Sequence, residues 1–266
     1  MYRRFESFYS KLFFFNLNYS SLEQFEIFPL LKLFIGPFDF SFTNSSLSFF
    51  ISLSFFFFLF FVSSFYSFFS FKPNRFFAIF KMLYNVTLGM VLENVGKSGK
   101  FFFEYIAFLF ISLVFINVLG MIPYNFTPTS HLIVTFALAF MTFLIINLIG
   151  ISIHKIKLFG LFLPNGAPFL LIPLLIPIEF ISYVFRVISL SVRLFANMMA
   201  GHTLLKVIGG FSWTMLLNGG FFLVLHLVPL FIVYLLIGLE LGVALIQAYV
   251  FTILSCIYLS DVVVLH

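Results

Sequence analysis

Glu179, Arg186 and Arg193 stand seven residues apart in a stretch of mostly apolar side chains. Seven residues are two helical turns, so the three share a face to within about 20° per step. Asn197 follows Arg193 at i+4, and Ala196, Ala200 and Gly201 lie close by. Small residues let another helix approach closely. His202, nine positions after Arg193, falls near the opposite side of the helix by the 3.6-residue period. Further on, Glu240 and Gln247 are again seven apart, with Gly238, Gly242 and Ala244 keeping their surroundings open. A charge at the centre of a bilayer costs about 2.5–3.5 kcal/mol on insertion scales and about 10–17 kcal/mol in simulations. Charges aligned in this way are therefore costly against lipid.

The element that carries them is unusual. From Pro168 to about Ile208 nothing after Pro177 stops a helix, and forty residues make about 60 Å at 1.5 Å each. The hydrocarbon core is only about 30 Å thick, so the segment is either two short spans with misplaced charges or one steeply tilted helix whose charges face a wet cavity and a partner. The stretch 220–262, whose charges are Glu240 and Asp261, repeats the pattern and is expected to lie antiparallel to it as a long hairpin, so that 168–262 forms one tilted unit. Upstream, a first span is expected over 47–71, ending at Lys72-Pro73. A surface helix follows over 74–96, where Phe76, Phe77, Phe80, Leu83, Leu88, Val91 and Leu92 recur near helical spacing. The charge-free run 105–153 is too long for one span and is interrupted between Pro123 and Pro128. It reads as a transmembrane hairpin over 101–153, with helices at 101–121 and 131–153. Residues 1–46 form an N-terminal segment.

Composition sets the class. Of 266 residues, 62% are hydrophobic and 9% charged, against about 25% charged in soluble domains. The fold class is an all-α membrane protein: one or more upright transmembrane helices, a surface amphipathic helix, a helical hairpin, and a long tilted hairpin at the C-terminal end. The net charge of +5 follows membrane topology better than it does nucleic acid. Lys72, Arg75, Lys81, Lys97 and Lys100 cluster in one connection and Lys155 and Lys157 in another, while 122–130 has no basic residue. By the positive-inside rule the basic loops face the inner compartment, and the chain start and the 122–130 turn face the outer one. The lone Cys256 in an apolar stretch offers no disulfide and behaves as a small apolar side chain. The 47 Phe residues, in blocks such as Phe55–Phe58, point to T-rich coding of the organellar kind.

Two segments carry a resemblance. Ser189-Leu-Ser-Val-Arg-Leu-Phe-Ala-Asn-Met-Met-Ala-Gly-His202, together with Glu240-Leu-Gly-Val-Ala-Leu-Ile-Gln247, closely resembles subunit a of F-type ATP synthases in its mitochondrial form. The resemblance covers about 100–266 well, and 1–99 only in layout. Bacterial members commonly have Glu where His202 stands and His where Glu240 stands. The resemblance implies that Arg193 faces a rotating ring of small hairpin c subunits, each with one carboxylate. A guanidinium suits this place because it stays charged at any accessible pH and cannot pass the proton across itself. It implies two offset half-channels, with His202 and Glu240 as the inlet relay and Glu179 as the outlet carboxylate. Asn197 and Gln247 are expected to hydrogen-bond near Arg193 and hold it, Arg186 to shape the outlet, and Asn117 and Asn147 to line the inlet. Implied partners are the ring, a peripheral stalk, other membrane-sector subunits and a dimer of the whole complex. The implied place is the mitochondrial inner membrane, in a multi-pass, organelle-encoded protein.

Blander readings stand beside these. Arg186 and Lys206 fit side chains snorkelling to head groups, and Asn117 and Asn147 fit interhelical glue. His131 fits an interfacial residue, Asp261 and Glu104 fit solvated helix ends, and Arg193 fits an ion pair with Glu240. A secondary transporter using Arg193 and Glu240 as a substrate site is the alternative class, although no repeat relates the two halves. A noncatalytic assembly subunit of a respiratory complex would need no aligned charges. Neither a Gly-x4-Gly-Lys-Ser/Thr phosphate loop nor a metal-ligand cluster occurs in the sequence, so no cofactor and no metal are expected, and nucleotide chemistry belongs to another subunit.

Overall fold

The computed structural model describes residues 23–35, 38–69, 75–122, 125–155, 160 and 172–263. The expectations placed on residues 1–22, Lys72-Pro73, Pro123, Tyr124, Lys157 and Pro168 lie outside these residues. The described chain is an all-α membrane protein with seven α-helices: α1 (Asn44–Phe69), α2 (Arg75–Asn94), α3 (Phe103–Gly120), α4 (Leu132–His154), α5 (Ile172–Asn218), α6 (Phe222–Leu225) and α7 (Leu227–Val263). A 3-10 turn over Gly96–Phe102 leads into α3 and another over Pro128–Ser130 leads into α4. The spans Gly99–Gly120, Leu132–His154, Ile172–Asn218 and Leu227–Val263 are each long and apolar enough to cross a membrane.

Among the described residues ahead of α1, a 3-10 turn over Glu23–Phe25 precedes four short strands. Strands β1 (Pro29–Leu31), β2 (Phe34–Ile35), β3 (Phe38–Asp39) and β4 (Phe42–Thr43) make two small antiparallel ladders, β1 with β4 and β2 with β3, with Pro29 opposite Thr43 and Phe34 opposite Asp39. Strands of two or three residues are too short to show an alternating pattern, which is why the sequence gives no sign of them. β4 runs directly into α1 through a reciprocal cap. The Thr43 amide donates to Ser46 Oγ at 3.0 Å, and the Ser46 amide donates to Thr43 Oγ1 at 3.5 Å. That arrangement satisfies groups left open at a helix start.

α5 runs to Asn218, ten residues past the expected end near Ile208, because Gly209 and Gly210 do not interrupt it. Its 47 residues make about 70 Å, more than twice the hydrocarbon thickness. It stops at Gly219 and Gly220, whose φ values of 66° and 58° suit glycine and strain other residues. The chain then reverses through α6, and α7 returns antiparallel to α5. Ser212 Oγ donates to the His226 carbonyl near the turn, and Arg186 meets Asp261 at the far end.

α7 packs chiefly on α5 and α3, and α4 packs chiefly on α5. One core joins Leu109 and Leu113 of α3 to Ala139 of α4, Leu190 and Leu194 of α5, and Ala248 and Phe251 of α7. A second, nearer the other end, gathers Val91, Ile106, Ile146, Leu259 and the free, buried Cys256. Hydroxyls within the helices bond back to their own backbone, as Ser112 does to the Leu109 carbonyl and Thr252 to the Ala248 carbonyl. Polar groups in lipid need such internal partners.

Candidate functional site

α5 and α7 bring His202 and Glu240 face to face. His202 Nδ1 lies 3.6 Å from Glu240 Oε1, longer than a good hydrogen bond and within range of charge pairing. Glu240 is 5% exposed, and neither carboxyl oxygen has a hydrogen-bond partner among the described residues; nor does His202 Nε2. A buried carboxylate without partners is costly as an anion and tolerable when it holds or shares a proton. The approach depends on Gly201. A Cβ there would lie 2.6 Å from Glu240 Oε1 and 2.8 Å from its carboxyl carbon. On the α3 side, fully buried Asn117 donates to the Ala244 carbonyl, one turn along α7 from Glu240, and its own oxygen is left unpaired. Asn117 thus sits one turn along α7 from Glu240.

Arg193 lies on the other side of α5. It is exposed, as are Ala196 and Ala200, while Leu190, Leu194 and Met198 of the same helix are buried in the bundle. The alternative in which Arg193 pairs with Glu240 is not found among the described residues, where Glu240 faces His202 and Asp261 faces Arg186. The expected hydrogen bonds from Asn197 and Gln247 to Arg193 are likewise absent among the described residues. Both amides are half-buried in the hairpin while Arg193 is exposed, so a shared stripe does not bring the groups into contact. Glu179 is half-buried, fourteen residues before Arg193 and therefore about 21 Å along the helix.

The far end of the hairpin holds a second polar group. Arg186 Nη1 meets Asp261 Oδ2 at 3.2 Å, and its guanidinium lies 5.3 Å from the Tyr258 ring centre and 6.0 Å from that of Tyr183. Tyr183 OH donates to Asn147 Oδ1 at 2.6 Å, and Asn147 Nδ2 donates to the Phe143 carbonyl. Asn147 is therefore not part of the His202 cluster, contrary to expectation: position 147 falls near the C-terminal end of α4, beside Arg186 rather than Glu240. Asp261 is not simply solvated, since α7 is long enough to carry it back to Arg186. Snorkelling alone does not describe Arg186 either. Glu104 is exposed, as expected, and Lys206 is half-buried. Nearby, His154 Nε2 lies 3.1 Å from the Val263 carbonyl, which puts the end of α7 beside the end of α4.

Several participants escape a reading of spacing. Gly201 is visible only as one more small residue until Glu240 is seen against it. Tyr183 and Tyr258 look like ordinary aromatics of a Phe-rich chain. Pairs such as Arg186 and Asp261, 75 residues apart, become adjacent only once the hairpin register is known.

These features define a class: a multi-pass helical membrane protein that keeps an acid and an imidazole inside the span and presents an arginine on an open, small-residue face. Comparison with known proteins narrows it. A sequence model of the ATP synthase A chain family matches residues 45–260. A protein of Chondrus crispus called ATP synthase subunit a is 51% identical over 247 residues, covering 93% of this chain and 97% of its own. Proteins of the same name from Pylaiella littoralis and Brassica napus are 51% and 49% identical, each covering 93% of this chain and 99% and 97% of their own. The chain belongs to the ATP synthase A chain family.

Proposed function

We propose that this chain is the stationary proton-conducting subunit of a rotary ATP synthase in the mitochondrial inner membrane. It loads and unloads the carboxylates of a ring of small hairpin subunits through two offset half-channels. The observation that carries this is the division of α5 into two sides: an open side with Arg193 among alanines, and a packed side where His202 meets Glu240. A ring carboxylate has to be ionised to pass a fixed cation and neutral to face lipid at tolerable cost. A proton therefore enters on one side of Arg193 and leaves on the other only after nearly a full turn of the ring.

His202 and Glu240 form the inlet relay, with Asn117 lining it. Glu179 stands on the outlet side, and the Arg186–Asp261 cluster fixes the geometry there. Asn197 and Gln247, half-buried in the hairpin, act on Arg193 through the partner or through water. A peripheral stalk holds the chain still, the whole complex dimerises, and nucleotide chemistry takes place on other subunits. In reconstituted complex, Arg193→Ala is expected to abolish ATP-driven proton pumping while passive leak through the ring interface persists. Undiminished ATP synthesis by that variant would overturn the assignment.

A further inference from the structure

The inlet has an outer end that the relay above does not include. Pro128–Ser130 packs against α5, α3, α4 and α1. Its Thr129 is 2% exposed with Oγ1 unpartnered, and the Nε2 of the adjoining His131 is also buried without a partner. The imidazole is held in orientation: it stacks on Phe126 at 5.1 Å and 21°. Its backbone is held as well, since the His131 amide donates to Pro128 and its carbonyl accepts from Val134 and Thr135. Thr135 Oγ1 lies 3.3 Å from Ser191 Oγ, fixing this end of α4 against α5.

One aromatic ring lies against both histidines. Phe25 is 6.5 Å from His131 and 6.4 Å from His202, with its ring steeply inclined to each. Its segment is tied down by Asn44 at the start of α1. The Phe28 amide donates to Asn44 Oδ1, Asn44 Nδ2 donates to the Glu26 carbonyl, and the Asn44 amide donates to the Phe28 carbonyl.

We propose that His131 is a proton-transfer station at the outer mouth of the inlet, ahead of His202, and that Phe25 is the apolar wall held between them. This rests on the inlet role given above to His202 and Glu240. The two imidazole centres are no more than about 13 Å apart, a gap for a few bridging waters or hydroxyls. Transfer through His131 needs no net chemistry: one ring nitrogen accepts a proton as the other releases one. Burial lowers the His131 pKa, and the positive end of α4 also disfavours the cation. A proton received there is passed on rather than kept. Among the described residues, the elements around it carry Glu26 beside Phe25, His202 and Lys206 on α5 and Glu240 on α7, and α3 contributes the neutral Asn117.

The test is passive proton flux into vesicles holding the assembled membrane sector. His131→Phe keeps the ring on Phe126 and removes the nitrogens; flux is expected to fall about 100-fold, the low end of what a positioned proton carrier contributes. His131→Ala should fall similarly and recover several-fold when imidazole is added to the outer side, an effect that a merely structural role does not give. Flux at the wild-type level in His131→Phe overturns the proposal, as does a conducting defect in His131→Ala that imidazole leaves unchanged. His202→Gln is the control. If it blocks flux while His131→Phe conducts normally, the inlet stands and the mouth falls; if neither variant slows flux, the inlet assignment itself fails. Should the position 131 variants not assemble, Phe25→Ala still decides: carbethoxylation of His202 from the outer side should rise several-fold, and an unchanged rate refutes the wall between the histidines.

Discussion

Glu240 shows how much is asked of a single side chain. Its carboxyl group is buried, faces an imidazole at 3.6 Å, and has no other protein partner among the described residues. Glu240→Gln keeps the shape and removes the exchangeable proton. Assembly is therefore expected to survive while proton flux drops roughly 100-fold, and unaltered flux would count against a relay role. Gly201→Ala tests the same contact from the other helix. Alanine is a better helix former than glycine by about 1 kcal/mol, so α5 should fold, but the new methyl carbon would press on the carboxyl group. The end of a flexible side chain yields before the backbone does, so Glu240 moves away from His202. A displacement near 1 Å can cost about 100-fold in a positioned reaction. The expected variant is thus well assembled and poorly conducting, and normal conduction would mean that the close approach is incidental.

At the scale of elements, α5 and α7 are held as a hairpin from both ends: by the glycine turn and the Ser212 bond at one, and by Arg186, Asp261 and the tyrosines at the other. The Arg186–Asp261 pair is partly exposed, with side chains at 33% and 40%, so its own worth is about 1 kcal/mol or less. The Tyr183–Asn147 bond adds about 1 kcal/mol. Because both meet at the Arg186 cluster, Asp261→Asn and Tyr183→Phe should each speed thermal loss of the chain from the complex modestly. Combined, they should do so by other than the product of the two effects, and a strictly multiplicative result would show the two contacts to be independent. Much of this architecture is legible in the sequence, and for definite reasons. The seven-residue spacing of Glu179, Arg186 and Arg193 survives as a stripe because a helix repeats it; the opposition of His202 to Arg193 survives for the same reason. What pairs across helices does not follow from periodicity. Asn147 and Asn117 look alike in sequence, yet depth along α4 and α3 sends one to Tyr183 and the other to Ala244. The strands before α1 and the placement of Phe25 depend on contacts between distant segments, which no local pattern encodes.

On the scale of the whole molecule, the bundle has one side that its own helices cover and one that they leave open. α5 turns Leu190, Leu194 and Met198 toward α3, α4 and α7, and leaves Arg193, Ala196 and Ala200 outward. In lipid, an arginine among alanines is costly, whereas a close-packed helix bearing a carboxylate relieves the charge and uses the small residues for approach. A cysteine at Ala200 should therefore form a disulfide with a cysteine placed one turn from the ring carboxylate, and do so with successive ring subunits as the ring turns. A cysteine at Ser191, which is fully buried against Thr135, should not. Copurification of the chain with a ring of small Gly- and Ala-rich hairpins belongs to the same test, since a transporter using Arg193 for substrate would travel without one. If the position 200 cysteine reacts only with lipid-soluble reagents and never with the ring, the open face of α5 is a lipid face, and Arg193 is not where a rotor passes.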